Sequence, residues 1–139
     1  MKKILAAIIV LTVFSNQVLM SQTKTDSIKI VETSLDYLEG WYNGDTLRME
    51  RALHPDLVKR QFKDGLVINS ISKSIMLGYT KAGYGKKTPR ELLKNEVRIL
   101  DISENVASVK TISVAFIDYL QLVKVNNQWK ILNVLWVAK

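Results

Sequence analysis

The sequence predicts an α+β domain with its helices first and an antiparallel sheet after. Three observations lead there. Apolar residues recur at steps of three and four from Ile28 to Tyr42. Strand-like runs joined by short turns fill the chain from Leu93 to its end. Helical and strand patterns do not alternate, as they would around a parallel sheet.

Taken in chain order, Ile28, Val31, Leu35, Leu38 and Tyr42 form one stripe of an amphipathic helix, with Thr25 or Asp26 as its N-cap. Asn43 and Gly44 end it, because both tolerate the left-handed conformation. Asp45 then caps a short second helix over about Thr46 to Leu53, which stops at His54 because Pro55 pushes the preceding residue out of helical geometry. The segment LVKRQFKDGLVIN reads as a hairpin turning at Lys63-Asp64-Gly65. Ser72 caps a third helix with Ile75, Met76, Tyr79 and Ala82 on one face, and GYGKKTP (Gly83 to Pro89) reads as a solvated basic loop. NEVRILDIS, VASVKTISV, AFIDYLQLVKV and QWKILNVLWVAK follow as strands, with turns at Glu104-Asn105 and Asn126-Asn127.

The chain begins MKKILAAIIVLTVFSNQVLMSQ: two lysines, then an apolar run from Ile4 that Ser15, Asn16 and Gln17 interrupt before it can span a bilayer. This is the pattern of a secretory signal peptide. Cleavage after Ser21 divides the chain into a signal at 1–21 and one domain at 22–139, in the periplasm or outside the cell, with no membrane attachment afterwards. No cysteine follows the run, so a lipid anchor is excluded, and an exported chain without thiols has nothing to mispair.

Composition narrows the chemistry further. With 139 residues, 47% hydrophobic and 24% charged, a disordered chain is excluded. The absence of cysteine and a single histidine exclude disulfides and Cys- or His-rich metal sites, so no metal and no cofactor are expected. The net charge of +7 gives a mild preference for acidic surfaces. It is not gathered into a basic stripe interleaved with aromatics, so no nucleic-acid partner is expected. GYGKKT is not a phosphate loop: Thr80 stands where the first glycine belongs, and Lys87 where Ser or Thr is needed.

The order of elements resembles the nuclear-transport-factor-two-like (SnoaL-like) superfamily. Two segments, YLEGWYNGDTLRMERALHPDL (Tyr37 to Leu57) and FIDYLQLVKVNNQWKILNVLW (Phe116 to Trp136), are similar to the branch called the putative lumazine-binding family. The resemblance covers about Asp26 to Lys139. It implies a cone: three N-terminal helices packed in the concave face of a curved antiparallel sheet, a pocket at the open end, and often a homodimer through the outer sheet face. Superfamily members include isomerases, dehydratases, cyclases and transport adaptors, so fold alone does not choose a function.

The candidate catalytic residues are His54 and Asp118. His54, the sole imidazole, serves either as a general base or ligand donor, or as a structural cap on a nearby carbonyl. Asp118 sits mid-strand, where superfamily enzymes of the ketosteroid isomerase type carry an acid in an apolar site. Asp118 and Tyr119 are adjacent, so they point to opposite faces, and only one enters the pocket. Among the aromatics, Trp41, Tyr42, Tyr79, Trp129 and Trp136 are placed to stack on a planar ligand or to pack the core. Tyr42 ranks first by the geometry the resemblance implies, and Met76 is a candidate on the third helix. The candidate ligand-binding set is Tyr42, His54, Met76, Tyr79, Asp118 and Trp136. The favoured function is an exported domain that binds a small apolar or aromatic molecule without catalysis. The alternatives are an isomerase, dehydratase or cyclase using His54 or Asp118, and a protein-interaction module with a vestigial pocket.

Overall fold

A computed structural model describes residues 24–139. The segment read as an export signal, with its cleavage point, lies outside the described residues.

The first helix, α1, runs to residue 43 and is already helical at residue 24. Thr25 and Asp26 therefore lie within the helix and do not cap it. The buried face is also displaced from the apolar stripe. Ile28 is 53% exposed, whereas Ile30, Ser34, Tyr37, Leu38 and Tyr42 are buried. The polar Ser34 sits at the centre of that face because its hydroxyl donates to the Ile30 carbonyl one turn back, leaving no unsatisfied group. Gly44, at φ +65°, ends the helix as expected. The Asp45 carboxylate then accepts from the Leu47 and Arg48 N–H groups and starts α2, Thr46–Ala52.

The strand β1, Leu53–Lys63, follows α2 with no loop, so His54 and Pro55 are strand residues and not a helix exit. Asp64 and Gly65, both at positive φ, turn the chain into β2, Leu66–Ile71. Helix α3, Lys73–Lys81, is capped by Ser72 and buries Met76 and Thr80. The glycine-lysine segment is more ordered than a solvated loop: Tyr84–Lys87 forms one 3-10 turn and Arg90–Leu92 a second. Gly85 is buried there against the end of α1. The meander is β3 (Glu96–Ser103), β4 (Val106–Ile112), β5 (Phe116–Val125) and β6 (Gln128–Ala138). Its turns place Glu104, Asn126 and Asn127 at positive φ.

All six strands form one open sheet in the order β2-β1-β6-β5-β4-β3. Five neighbouring pairs give one exception to the antiparallel expectation: β1 and β6 run parallel, so the sheet is mixed. The reason is topological. Tight turns force antiparallel pairing within the β1–β2 hairpin and within the meander. The seam between those blocks has no turn to fix its sense, because α3 carries the chain across to β3 before the meander returns to β1.

Helices and sheet share one apolar core, built on Ile30, Leu38, Met49, Leu53, Leu57, Val109, Leu120, Leu122 and Ile131. At its far end, Asp26 accepts from the Trp129 indole (3.1 Å) and pairs with Lys124 (2.8 Å), holding the start of α1 to the β5–β6 hairpin. At the side, Asp36 of α1 receives Arg48 (2.8 Å) and both Nε and Nη2 of Arg51 (2.7 and 2.8 Å). Partial burial would raise the Asp36 carboxyl, but the two guanidinium groups outweigh it and hold the carboxyl below its ordinary value.

A methyl group at Gly85 would fall inside van der Waals contact of the Trp41 carbonyl, whereas one at Gly78 on α3 meets nothing within 4 Å. Gly85→Ala should therefore lower stability by about 1–3 kcal/mol, while Gly78→Ala should raise it by about 0.5–1 kcal/mol, both read from urea unfolding midpoints. For Asp36, the lowered folded value means that the unfolded chain binds the proton more readily, so stability rises with pH through that window. The stability advantage of the native chain over Asp36→Asn should be constant above about pH 5 and fade toward about pH 2. Urea curves across that range measure it.

Candidate functional site

The inner face of the sheet carries an unusual polar row. Strand register aligns Gln61 (β1), Trp136 (β6), Asp118 (β5) and Thr111 (β4), and the adjacent row aligns Lys59, Val134, Leu120 and Val109. Laterally paired residues share a face, so the parity that buries Leu120 and Val109 also turns Asp118 and Lys59 inward. Asp118 is 2% exposed and Lys59 7%. Tyr119 faces outward, 46% exposed, with the Lys110 ammonium over its ring.

Lys59 reaches across β6 to place Nζ 2.7 Å from Asp118 Oδ1. On the way it lies over the Trp136 ring, 5.0 Å from the centroid, and over Tyr37, 5.2 Å from that centroid. The Tyr37 hydroxyl donates to the same Oδ1 at 3.0 Å and accepts from Lys59 Nζ. A carboxylate, an ammonium and a phenol from β5, β1 and α1 thus meet at one oxygen atom. Burial pushes the Lys59 ammonium below the ordinary lysine value, and the Asp118 charge offsets only part of that. Burial, reinforced by the Asp118 charge, pushes the Tyr37 phenol well above its ordinary value.

These three residues form the polar floor of a cavity of about 360 Å³. Its walls are Leu38, Trp41 and Tyr42 from α1, Ile75, Met76 and Tyr79 from α3, and Phe116 and Trp136 from the sheet. Tyr84 stacks on Tyr79 at 5.2 Å between centroids, and both rings are exposed at the rim. The Tyr42 hydroxyl donates to Ser113 Oγ at 2.9 Å, so its polar end is engaged and the ring serves as wall. The Trp136 indole N–H is buried with no acceptor among the described residues.

Five of the six sequence-predicted ligand residues, Tyr42, Met76, Tyr79, Asp118 and Trp136, come together around this cavity. His54 does not. It lies at the start of β1 outside the lining, where its Nδ1 accepts the Asp56 N–H at 3.1 Å. Trp129 is likewise elsewhere, in the Asp26 cluster. Sequence reasoning missed Tyr37, Lys59 and Gln61. The available signal was strand parity: Leu57, Lys59 and Gln61 share a face, and Leu57 is an obvious core residue. The described residues contain no cluster of three His, Cys, Asp or Glu side chains able to hold a metal ion.

Three helices on a curved, open mixed sheet, with a cavity between α1, α3 and the sheet, define the nuclear-transport-factor-two-like class. Within that class, residues 25–137 match the family described as "Putative lumazine-binding", and the chain belongs to it. Solved structures agree on the fold. An NTF-2-like protein of unknown function from Silicibacter pomeroyi is 13% identical, with a TM-score of 0.68 over 84% of this chain and 98% of its own. One from Methylobacillus flagellatus is 19% identical, with a TM-score of 0.61 over 83% and 93%. A protein from Shewanella frigidimarina described as a putative ketosteroid isomerase is 18% identical, with a TM-score of 0.51 over 75% and 90%. At these identities the likeness is one of fold. No curated protein matches the sequence.

The shared oxygen atom makes the floor cooperative. Lys59→Met leaves the Asp118 charge buried without its cation and should cost about 3–5 kcal/mol. Adding Asp118→Asn removes the stranded charge and should recover most of the loss. A double-mutant cycle by chemical denaturation measures this coupling.

Proposed function

We propose that this protein is an exported binding protein whose cavity holds one small, flat, apolar or aromatic molecule. The observation that carries the reading is the cavity itself: aromatic and aliphatic walls over a compact polar floor, the usual make-up of a small-molecule site. About 360 Å³ lies near the lower end of the ~300–1,000 Å³ range for such sites, which suits a compact ring system. The family description adds support for a small ligand.

Binding fits better than acid–base turnover. The lining contains one carboxylate and no imidazole, and that carboxylate already accepts from Lys59 and Tyr37. Export rests on the N-terminal sequence, a basic end followed by an interrupted apolar run. The outer sheet face, with Tyr119 and Leu135 exposed, is where the superfamily resemblance places a second copy.

The test is to express the full-length chain, recover it from the periplasm or medium, and examine it by native mass spectrometry before and after denaturation. A single apolar or aromatic molecule per chain is expected. Ile75→Trp, a change at the exposed cavity wall, should weaken rebinding of the released molecule by about tenfold in Kd, the effect of losing roughly 1.4 kcal/mol of binding energy. A chain that is empty under every growth condition, or a Kd for the released molecule that Ile75→Trp leaves unchanged, would overturn the reading. An intracellular, uncleaved chain would overturn export.

A further inference from the structure

Lysines are rarely buried, and Lys59 is the only one among the residues lining the cavity. Its burial has no ready explanation in stability, since an apolar pair of similar volume would serve the fold as well or better than a buried Lys–Asp pair. Burial disfavours its ammonium form, and although the Asp118 charge offsets part of that, Asp118 also gives the proton a place to go. Asp118 Oδ1 is 2.7 Å away and able to take a proton, and the Tyr37 hydroxyl bonds both partners. Apolar and aromatic walls stand around the amine in the cavity. All of the bonds donated to Asp118 by described side chains end on Oδ1.

The geometry points to Lys59 as a covalent capture site for small aromatic or apolar aldehydes and ketones, held as an imine on Nζ. This rests on the cavity being the ligand site and adds the reacting group.

The step balances without any further reactant. Lys59 passes a proton to Asp118, leaving a neutral amine beside a neutral acid. The Nζ lone pair forms a bond to the carbonyl carbon, and the carbonyl oxygen becomes a hydroxyl by taking a proton from the nitrogen. Asp118 then protonates that hydroxyl, which leaves as water while the nitrogen lone pair closes the C=N bond. The product is a protonated imine beside the Asp118 carboxylate, the same charge arrangement as before capture. The lowered affinity of Lys59 for its proton favours the first transfer. Hydrolysis by the reverse path releases the carbonyl compound, so capture is reversible.

The probe is 2-naphthaldehyde with sodium cyanoborohydride, which reduces an imine to a stable secondary amine. It is applied to the purified chain at pH 7 and followed by intact mass and peptide mapping. The expected result is one naphthylmethyl group per chain, on Lys59, formed at least about tenfold faster than on any other lysine, because Lys59 is the lysine lining the cavity that holds the aldehyde. Lys59→Arg keeps the cation but removes the primary amine, and should abolish the fast phase. The map of the unaltered chain decides the matter even if that variant fails to fold. Labelling spread over other lysines with no preference for Lys59 overturns the proposal. Naphthalene-2-methanol, the same ring without the carbonyl, separates the two readings. If calorimetry shows that it binds while Lys59 stays unlabelled, the imine is wrong and the binding cavity stands. If it does not bind and Lys59 is not labelled, both fall.

Discussion

The interior of this protein is organised around one oxygen atom. Asp118 Oδ1 receives the Lys59 ammonium and the Tyr37 hydroxyl, drawn from α1, β1 and β5. A charge so deeply buried demands partners with close geometry. The consequence is positional: α1 is fixed in height above the sheet where Tyr37 meets Asp118, and β1 is held at the distance a lysine can span across β6. Apolar contacts tolerate sliding, but this trio does not.

Two further attachments complete the placement of α1. Asp26 ties its beginning to Trp129 and Lys124, and Tyr42 ties its end to Ser113 between β4 and β5. The helix is pinned at both ends and at the middle, while α3 meets the sheet chiefly through Met76 and its neighbours. The cavity lies between the pinned helix and the less tethered one, with the Tyr79–Tyr84 stack at its rim. Dense packing at the Asp26 end and open space at the Asp118 end follow from the same scaffold. The polar floor belongs to the architecture as much as to the site.

Much of this was legible in the sequence because turns and periodicity act locally. Asp45, Gly44, Ser72 and the two asparagines mark boundaries by their own backbone and side-chain chemistry, and the strands of the meander follow from them. The errors arise where a residue's role depends on distant parts of the chain. A stripe drawn through apolar residues alone misses the buried Ser34 and with it the true face, which hides Tyr37 beside Leu38. Nothing local marks Lys59 within LVKRQFK except that it is in phase with Leu57. Asp118 stands out as an acid in mid-strand, and its inward direction is implied by Leu120 and Leu122 two and four residues on. The parallel seam between β1 and β6 has no local signature at all. His54 drew attention as the sole imidazole, yet its ring is engaged by the backbone two residues away.

The distribution of the three tryptophans has an optical consequence. Trp41 and Trp136 wall the cavity, whereas Trp129 is sealed at the opposite end with its indole N–H given to Asp26. Intrinsic emission from this chain is therefore a sum of two signals with separate meanings. One responds to whatever enters the cavity, and to the Lys59 ammonium that lies over Trp136. The other responds only when the start of α1 parts from the β5–β6 hairpin. Occupancy is thereby recorded by the cavity pair and loss of the fold by all three, without any label.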